Sequence, residues 1–114
     1  MPFLRIQTNA VINEEKTATM LKKASRAVAQ QLNKPERYMM VGLESACPMS
    51  FAGTTEPAAF VDLKAIGLPD NQTGDLSRLL CELVAAELAV PKDRVYINFA
   101  DVPGHLWGWN GQTF

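Results

Sequence analysis

The residues able to do chemistry in this chain sit at its two ends. Pro2 stands directly behind Met1 and opens the strand-like run Phe3-Leu4-Arg5-Ile6-Gln7. Aminopeptidases that trim an initiator methionine accept a small following residue, so Met1 is expected to be removed. Pro2 then carries a free secondary amine, which is both a base and a nucleophile. Without that chemistry, the same proline would simply blunt an edge strand. At the other end, the segment from Pro103 to Phe114 holds Trp107 and Trp109, both tryptophans of the chain, and closes on Phe114. Such aromatics either seal a core or an interface, or form a wall around a small planar ligand.

The remaining reactive side chains point to less. Cys47 and Cys81 are 34 residues apart with no C-x-x-C, and His105 is the sole histidine, so neither a disulfide framework nor a zinc site is indicated. Cys81 falls at a helical core position and reads as a small buried hydrophobe, whereas Cys47, in a loop, reads as a free thiol. With 11 basic and 12 acidic residues and no basic cluster beyond Lys22-Lys23, nucleic-acid and anionic-membrane binding are not expected. No apolar stretch approaches the roughly 18 residues of a membrane span. The N-terminus lacks a basic region followed by an apolar one, and the expected location is the cytoplasm, with export by an unconventional route left open.

An internal repeat supplies the elements that must position these ends. Phe3-Leu4-Arg5-Ile6-Gln7-Thr8 has the same apolar and polar order as Phe60-Val61-Asp62-Leu63-Lys64-Ala65, 57 residues later, and both read as strands. Met20, Ala24, Ala27, Val28 and Leu32 recur 56 residues later as Leu76, Leu80, Leu83, Val84 and Leu88, each set on one helical face. Asn13 ahead of Glu14-Glu15 can cap the first helix, and Asp70 or Thr73 can open the second. Leu32-Asn33-Lys34-Pro35 and Leu88-Ala89-Val90-Pro91 end the two helices alike, and strands follow at Tyr38 to Leu43 and Val95 to Phe99.

The fold class is therefore α+β, from two βαβ halves at about 2–57 and 58–114 within a single domain of 114 residues. Its 47% apolar content suffices to bury roughly two thirds of the unfolded surface. Two such units give a four-stranded mixed sheet with both helices on one face. Strand positions Leu4, Ile6, Met40, Val61, Leu63, Tyr96 and Asn98 supply side chains to both faces. The face without helices needs a cover, and a partner subunit is the natural one.

Taken in order, several short stretches resemble the macrophage migration inhibitory factor family of tautomerases. They are Pro2-Phe3-Leu4, Thr8-Asn9, Leu32-Asn33-Lys34-Pro35, Met49-Ser50-Phe51, Thr55-Glu56-Pro57, Ile66-Gly67, Asp93-Arg94-Val95-Tyr96-Ile97-Asn98 and Gly108-Trp109-Asn110. The resemblance runs from end to end and implies a homotrimer of β-α-β-β-α-β subunits around a central channel. It also implies keto-enol tautomerisation of phenylpyruvate-type aromatic α-keto acids or enols, with dopachrome analogues as further candidates, no cofactor, and Pro2 as general acid/base. An ordinary α-amino group is only about 10% neutral at pH 7, so a base at Pro2 needs its pKa lowered. Lys34 matches the family's pocket lysine and would both tune Pro2 and pair with a substrate carboxylate; read structurally, it would be a lysine favourably placed by a helix dipole.

By the same resemblance the Ile66 amide helps hold the carboxylate, with Gly67 allowing close approach. Tyr96 and Asn98 reach in from a neighbouring subunit, and Trp109 and Phe114 are pocket aromatics. Trp107 stands where mammalian members have valine, and is expected to flatten the pocket or improve stacking. A secreted cytokine with weak or vestigial tautomerase activity, acting through a receptor, is the rival reading. The arginine and aspartate that mammalian members use for receptor contact are here Asn13 and Ala46, which counts against it. The dithiol oxidoreductase reading fails, because the corresponding stretch is Pro57-Ala58-Ala59-Phe60 and holds no thiol.

Overall fold

A computed structural model describes all residues from Met1 to Phe114. Alternation of apolar and polar residues produces β1 (Pro2–Thr8) and β3 (Ala59–Ala65), in which every second side chain is buried and the intervening ones are not. They pair antiparallel with Leu4 opposite Leu63 and Ile6 opposite Val61. β2 (Met40–Glu44) runs parallel beside β1, and β4 (Val95–Asp101) runs parallel beside β3, which gives the order β2-β1-β3-β4. Pro2 thus opens an interior strand rather than an edge. It occupies the first position of that strand, where the missing amide hydrogen costs no ladder bond.

Each parallel pair is bridged by a helix, α1 (Glu14–Gln31) and α2 (Thr73–Leu88). Met20, Ala24, Val28 and Leu32 of the first half and Leu76, Leu80, Val84 and Leu88 of the second enclose Leu4, Ile6, Val61 and Leu63 in one core. Ala27 and Leu83 of the expected stripes are only half-buried, as is Cys81, which lies one residue off the stripe of α2 and outside the core.

The helix ends explain the repeated stop signals. Asn13 caps α1 by accepting the Lys16 amide on Oδ1 at 2.8 Å. At the other end the amides of Lys34 and Asn33 donate to the carbonyls of Ala29 and Gln30 at 2.9 and 3.1 Å, with Asn33 in the left-handed region at φ 53°. This paired pattern fixes the backbone of Lys34. α2 opens at Thr73, one of the two starts read from the sequence, while Asp70–Gln72 form a 3-10 turn ahead of it and no side chain caps the helix. Ala89 ends it at φ 56°, the counterpart of Asn33.

Prolines organise the connections. Pro35, Pro69, Pro91 and Pro103 each precede a 3-10 turn, at Glu36–Tyr38, Asp70–Gln72, Lys92–Arg94 and Gly104–Leu106. Tyr38, expected in a strand, belongs to the first of these because its amide donates to the Pro35 carbonyl at 3.1 Å. The strand then starts two residues later, at Met40. β4 runs two residues past Phe99, as far as Asp101, because Ala65 continues the ladder opposite it.

The sheet face away from the helices carries Arg5, Gln7, Glu44, Asp62, Lys64 and Asn98 beside Phe3, Phe60 and Tyr96. Arg5 and Gln7 each donate to Glu44 at 3.0 Å, and these hydrogen bonds, Gln7's first, hold that carboxyl below its ordinary range. The uncovered face is thus mixed rather than apolar.

An L-residue in the left-handed region costs roughly 1–2 kcal/mol, whereas glycine loses roughly 0.5–1 kcal/mol more chain entropy on folding than alanine. Ala89→Gly is therefore expected to raise stability by roughly 0.5–1 kcal/mol, read as a higher urea midpoint at unchanged slope. Ala85→Gly, inside the helix, should instead lower it by about 1 kcal/mol.

Candidate active site

Three segments converge on the start of β1. Pro2 itself is fully buried and lies opposite Ala65, which in turn lies opposite Asp101. On the β2 side, the 3-10 turn after Pro35 brings in Arg37 and Tyr38, followed by Met39 and Met40. From the C-terminus, the turn after Pro103 and a short hairpin deliver Trp107 and Trp109. Together with Met1, Phe3 and Gly108 these residues line a cavity of about 230 Å³. A wider, shallower groove of about 430 Å³ runs over Thr19, Lys22, Arg26 and Leu83 on the helices. That groove shares no residue with the chain terminus.

The C-terminal hairpin, β5 (Gly108–Trp109) and β6 (Gln112–Thr113), turns at Asn110-Gly111 with φ of 52° and 77°. That pair is the sequence signal for a tight hairpin turn. Trp109 stacks on Phe114 at 6.0 Å and 14° and meets the Tyr38 ring edge-on at 6.0 Å and 87°. The Phe114 amide donates to the Trp107 carbonyl at 3.2 Å. Gly104 permits this closure, since a Cβ there would lie 3.1 Å from the Phe114 carbonyl oxygen. Phe114 consequently supports the wall from behind and does not line the Pro2 cavity.

Burial, first, and the positive charge of Lys34, second, hold the chain-terminal amine below its ordinary value. Here that amine belongs to Met1; trimming transfers it one residue inward, to the buried Pro2. Met1 also forms part of the cavity wall, so its loss both frees the nitrogen and widens the space beside it. Lys34 is half-buried and acts on the amine by charge, without lining the cavity.

Ile66 directly follows Ala65 and so lies next to Pro2 in the ladder, but it too is outside the lining. Its turn is held by Asp101, whose Oδ1 accepts the amides of Gly67 and Leu68 at 3.0 and 3.1 Å. Gly67 adopts φ 69°, the left-handed conformation that favours glycine, and a Cβ there would meet no protein atom within 4 Å. Tyr96 and Asn98 point to the same open face, as expected. Their ladder partners are Phe60 and Asp62, so within one subunit Tyr96 lies toward the opposite end of the sheet from Pro2 and Asn98 at mid-strand. Tyr96 instead packs edge-on against Phe51 at 4.9 Å.

The family model for macrophage migration inhibitory factor (MIF) matches residues 1–114. The chain belongs to that family. A macrophage migration inhibitory factor homolog of Brugia malayi is 38% identical over 115 residues, covering 100% of this chain and 99% of the relative. A solved homologue from Prochlorococcus marinus superposes with a TM-score of 0.93 at 41% identity, covering 98% of each chain. The structure of the factor from Trichinella spiralis gives 0.90 at 34%, covering 98% of this chain and 99% of that one.

Several of the short stretches that carry the sequence resemblance have a structural task here. Asn9 donates to the carbonyls of Thr55 and Glu56 at 3.1 and 3.0 Å and accepts the Ala58 amide at 2.9 Å. Arg94 donates to the carbonyls of Pro57, Glu56 and Phe51 at 2.8, 3.0 and 3.2 Å. Together they clamp the loop between β2 and β3, whose Phe51 meets Tyr96. Arg37, Tyr38, Met39 and Phe3 are cavity residues not singled out from the sequence. The proline three residues before Tyr38 was the available signal.

Lys34→Met should move the amine's pKa up toward its ordinary value, though only in part, because burial is the larger cause. The amine would then be more protonated at neutral pH. Titration of the processed chain by NMR at the Pro2 nitrogen reads this shift, and an unmoved or lowered pKa contradicts the assignment. Asp101→Ala should cost about 1–2 kcal/mol and strip hydrogen-exchange protection from the Gly67 and Leu68 amides. Asp101→Asn, which keeps an acceptor oxygen, should lose less on both counts.

Proposed function

We propose that the processed protein is a cofactor-independent keto-enol tautomerase of phenylpyruvate-type aromatic α-keto acids, with Pro2 as general acid/base. The observation that carries this reading is the fully buried Pro2 in a cavity walled by Tyr38, Trp107 and Trp109, at a place where the amine of the preceding Met1 is already held below its ordinary value. A base poised near the working pH maximises proton transfer. An aromatic-lined space of a few hundred Å³ suits a single substituted ring.

In the enol-to-keto direction the neutral amine takes the enol hydroxyl proton. The oxygen lone pair forms the C=O bond, and the C=C electrons take a proton from the resulting ammonium at the adjacent carbon. Nothing is oxidised or reduced, and the amine returns to its starting state. Lys34 pairs with the substrate carboxylate, and the Ile66 amide, in the turn held by Asp101, supplies a hydrogen bond to it. Trp107 and Trp109 orient the ring by stacking. Dopachrome analogues, which are planar and anionic, fit the same demands.

The assembly on this reading is a homotrimer. Tyr96 is five ladder positions from Asp101, or roughly 16–17 Å along a strand, so on this reading a second subunit brings its own Tyr96, with Asn98 beside it, to a Pro2. The mixed polar face of the sheet suits a wall around a wet channel better than a dry interface. A cytokine-like role and a receptor partner are the weaker alternative: Asn13 already caps α1, and Ala46 has no charge to offer. The cytoplasm is the proposed location.

Phenylpyruvate and its 4-hydroxy analogue, supplied as enols, test the activity. The processed protein should turn both over. Pro2→Gly and a form retaining Met1 should each lose about 100-fold or more, the usual scale of a general acid/base. Full activity in both variants would sink the mechanism.

A further inference from the structure

Arg37 is the feature of the cavity that the proposed chemistry leaves unused. Its guanidinium carbon sits 4.7 Å from the centroid of the Tyr38 ring, and Tyr38 is in turn held against Trp109. The guanidinium donates to no acceptor in the protein, and none of the four salt bridges involves it. Neighbouring Glu36 is engaged elsewhere, accepting from the Ser25 hydroxyl at 3.0 Å. No acidic side chain lines the cavity.

Stacking on an aromatic face fixes the plane of a guanidinium while leaving its edge N–H groups free. Those groups form a fork that matches a carboxylate bidentately. Lys34 acts on the terminal amine by charge and does not line the cavity. Arg37 lines the cavity wall beside Tyr38 and Trp109, so the two cations occupy different places around it.

We propose that Arg37 forms a second anion subsite, so that the preferred substrates are planar α-keto or enol acids carrying a second acidic group on the far side of the ring. This rests on the tautomerase reading for its substrates but not for its binding geometry. A monoanion such as phenylpyruvate satisfies only one of the two cations. A para-carboxylated analogue satisfies both, and its second carboxylate replaces water at a guanidinium already held in place.

The test separates binding from turnover. Benzoate and terephthalate, which cannot tautomerise, are titrated into processed protein with Trp107 and Trp109 fluorescence as the readout. In parallel, kcat/KM is measured for phenylpyruvate and 4-carboxyphenylpyruvate. The wild type should favour the dianion in both pairs, and Arg37→Gln should cut that preference by roughly 5- to 10-fold, the scale of a partly exposed charge-assisted pair. Arg37→Lys, which keeps the charge without the fork, should fall between. A preference that Arg37→Gln leaves unchanged overturns the proposal. So does an equal loss for monoanion and dianion, which would make Arg37 a partner of the shared carboxylate or only a support for Tyr38. If terephthalate preference responds to Arg37 while no keto acid turns over, the subsite stands and the tautomerase reading falls.

Discussion

The register between β1 and β3 is the constraint on which everything at the site depends. Leu4 opposite Leu63 and Ile6 opposite Val61 place Pro2 opposite Ala65. A slip of one residue would turn every side chain of β1 to the other face. Leu4 and Ile6 would then meet water, and Arg5 and Gln7 would be driven against Met20, Val28 and Leu80. Burying an unpaired guanidinium costs several kcal/mol, a large part of the stability of a chain this size. The position of the terminal nitrogen is thus set by hydrophobic contacts several residues away from it.

That part of the molecule was legible in the sequence because it is periodic. The strand alternation of Phe3 to Thr8, the helical stripes through Met20 and Leu76, and the matched stops at Pro35 and Pro91 are local patterns with one physical solution. What the pattern did not carry is the identity of the cavity wall. Tyr38 has a strand-forming side chain, yet Pro35 three residues earlier closes a 3-10 turn that rotates it, with Arg37, toward the chain terminus. Trp109 and Phe114 were legible as aromatics, but only the Asn110-Gly111 turn and the bare Gly104 decide that one lines the cavity and the other braces it. Tyr96 and Asn98 were placed by resemblance. Their separation from Pro2 is a fact of the ladder that no single-chain pattern reveals.

The electrostatics of the cavity follow from what is missing as much as from what is present. With Lys34 acting on the amine by charge, Arg37 on the wall and no carboxylate in the lining, an ammonium at the terminus is disfavoured by partial burial and by a like charge, with no counterion in the cavity wall. Both effects lower the amine's pKa from its ordinary value. On the tautomerase reading, a carboxylate that enters and pairs with Lys34 removes one of the two causes of that shift. The amine then accepts a proton more readily with substrate bound than without it, so binding prepares the same nitrogen to act as an acid in the second half of the reaction.

On the tautomerase reading, proline is the one residue type that fits both requirements at the start of this strand. Within a chain it has no amide hydrogen, and the first position of an interior strand is where that deficit is harmless. At a chain terminus the same nitrogen becomes an amine with a hydrogen to give and a lone pair to share. Its ring locks the direction in which that pair points, whereas a primary amine at the end of a flexible residue would have to be ordered at each turnover. Packing of the ring beside Ala65 therefore serves stability and aim together. On that reading a retained Met1 is doubly obstructive, because an amide nitrogen is no base and Met1 forms part of the cavity wall.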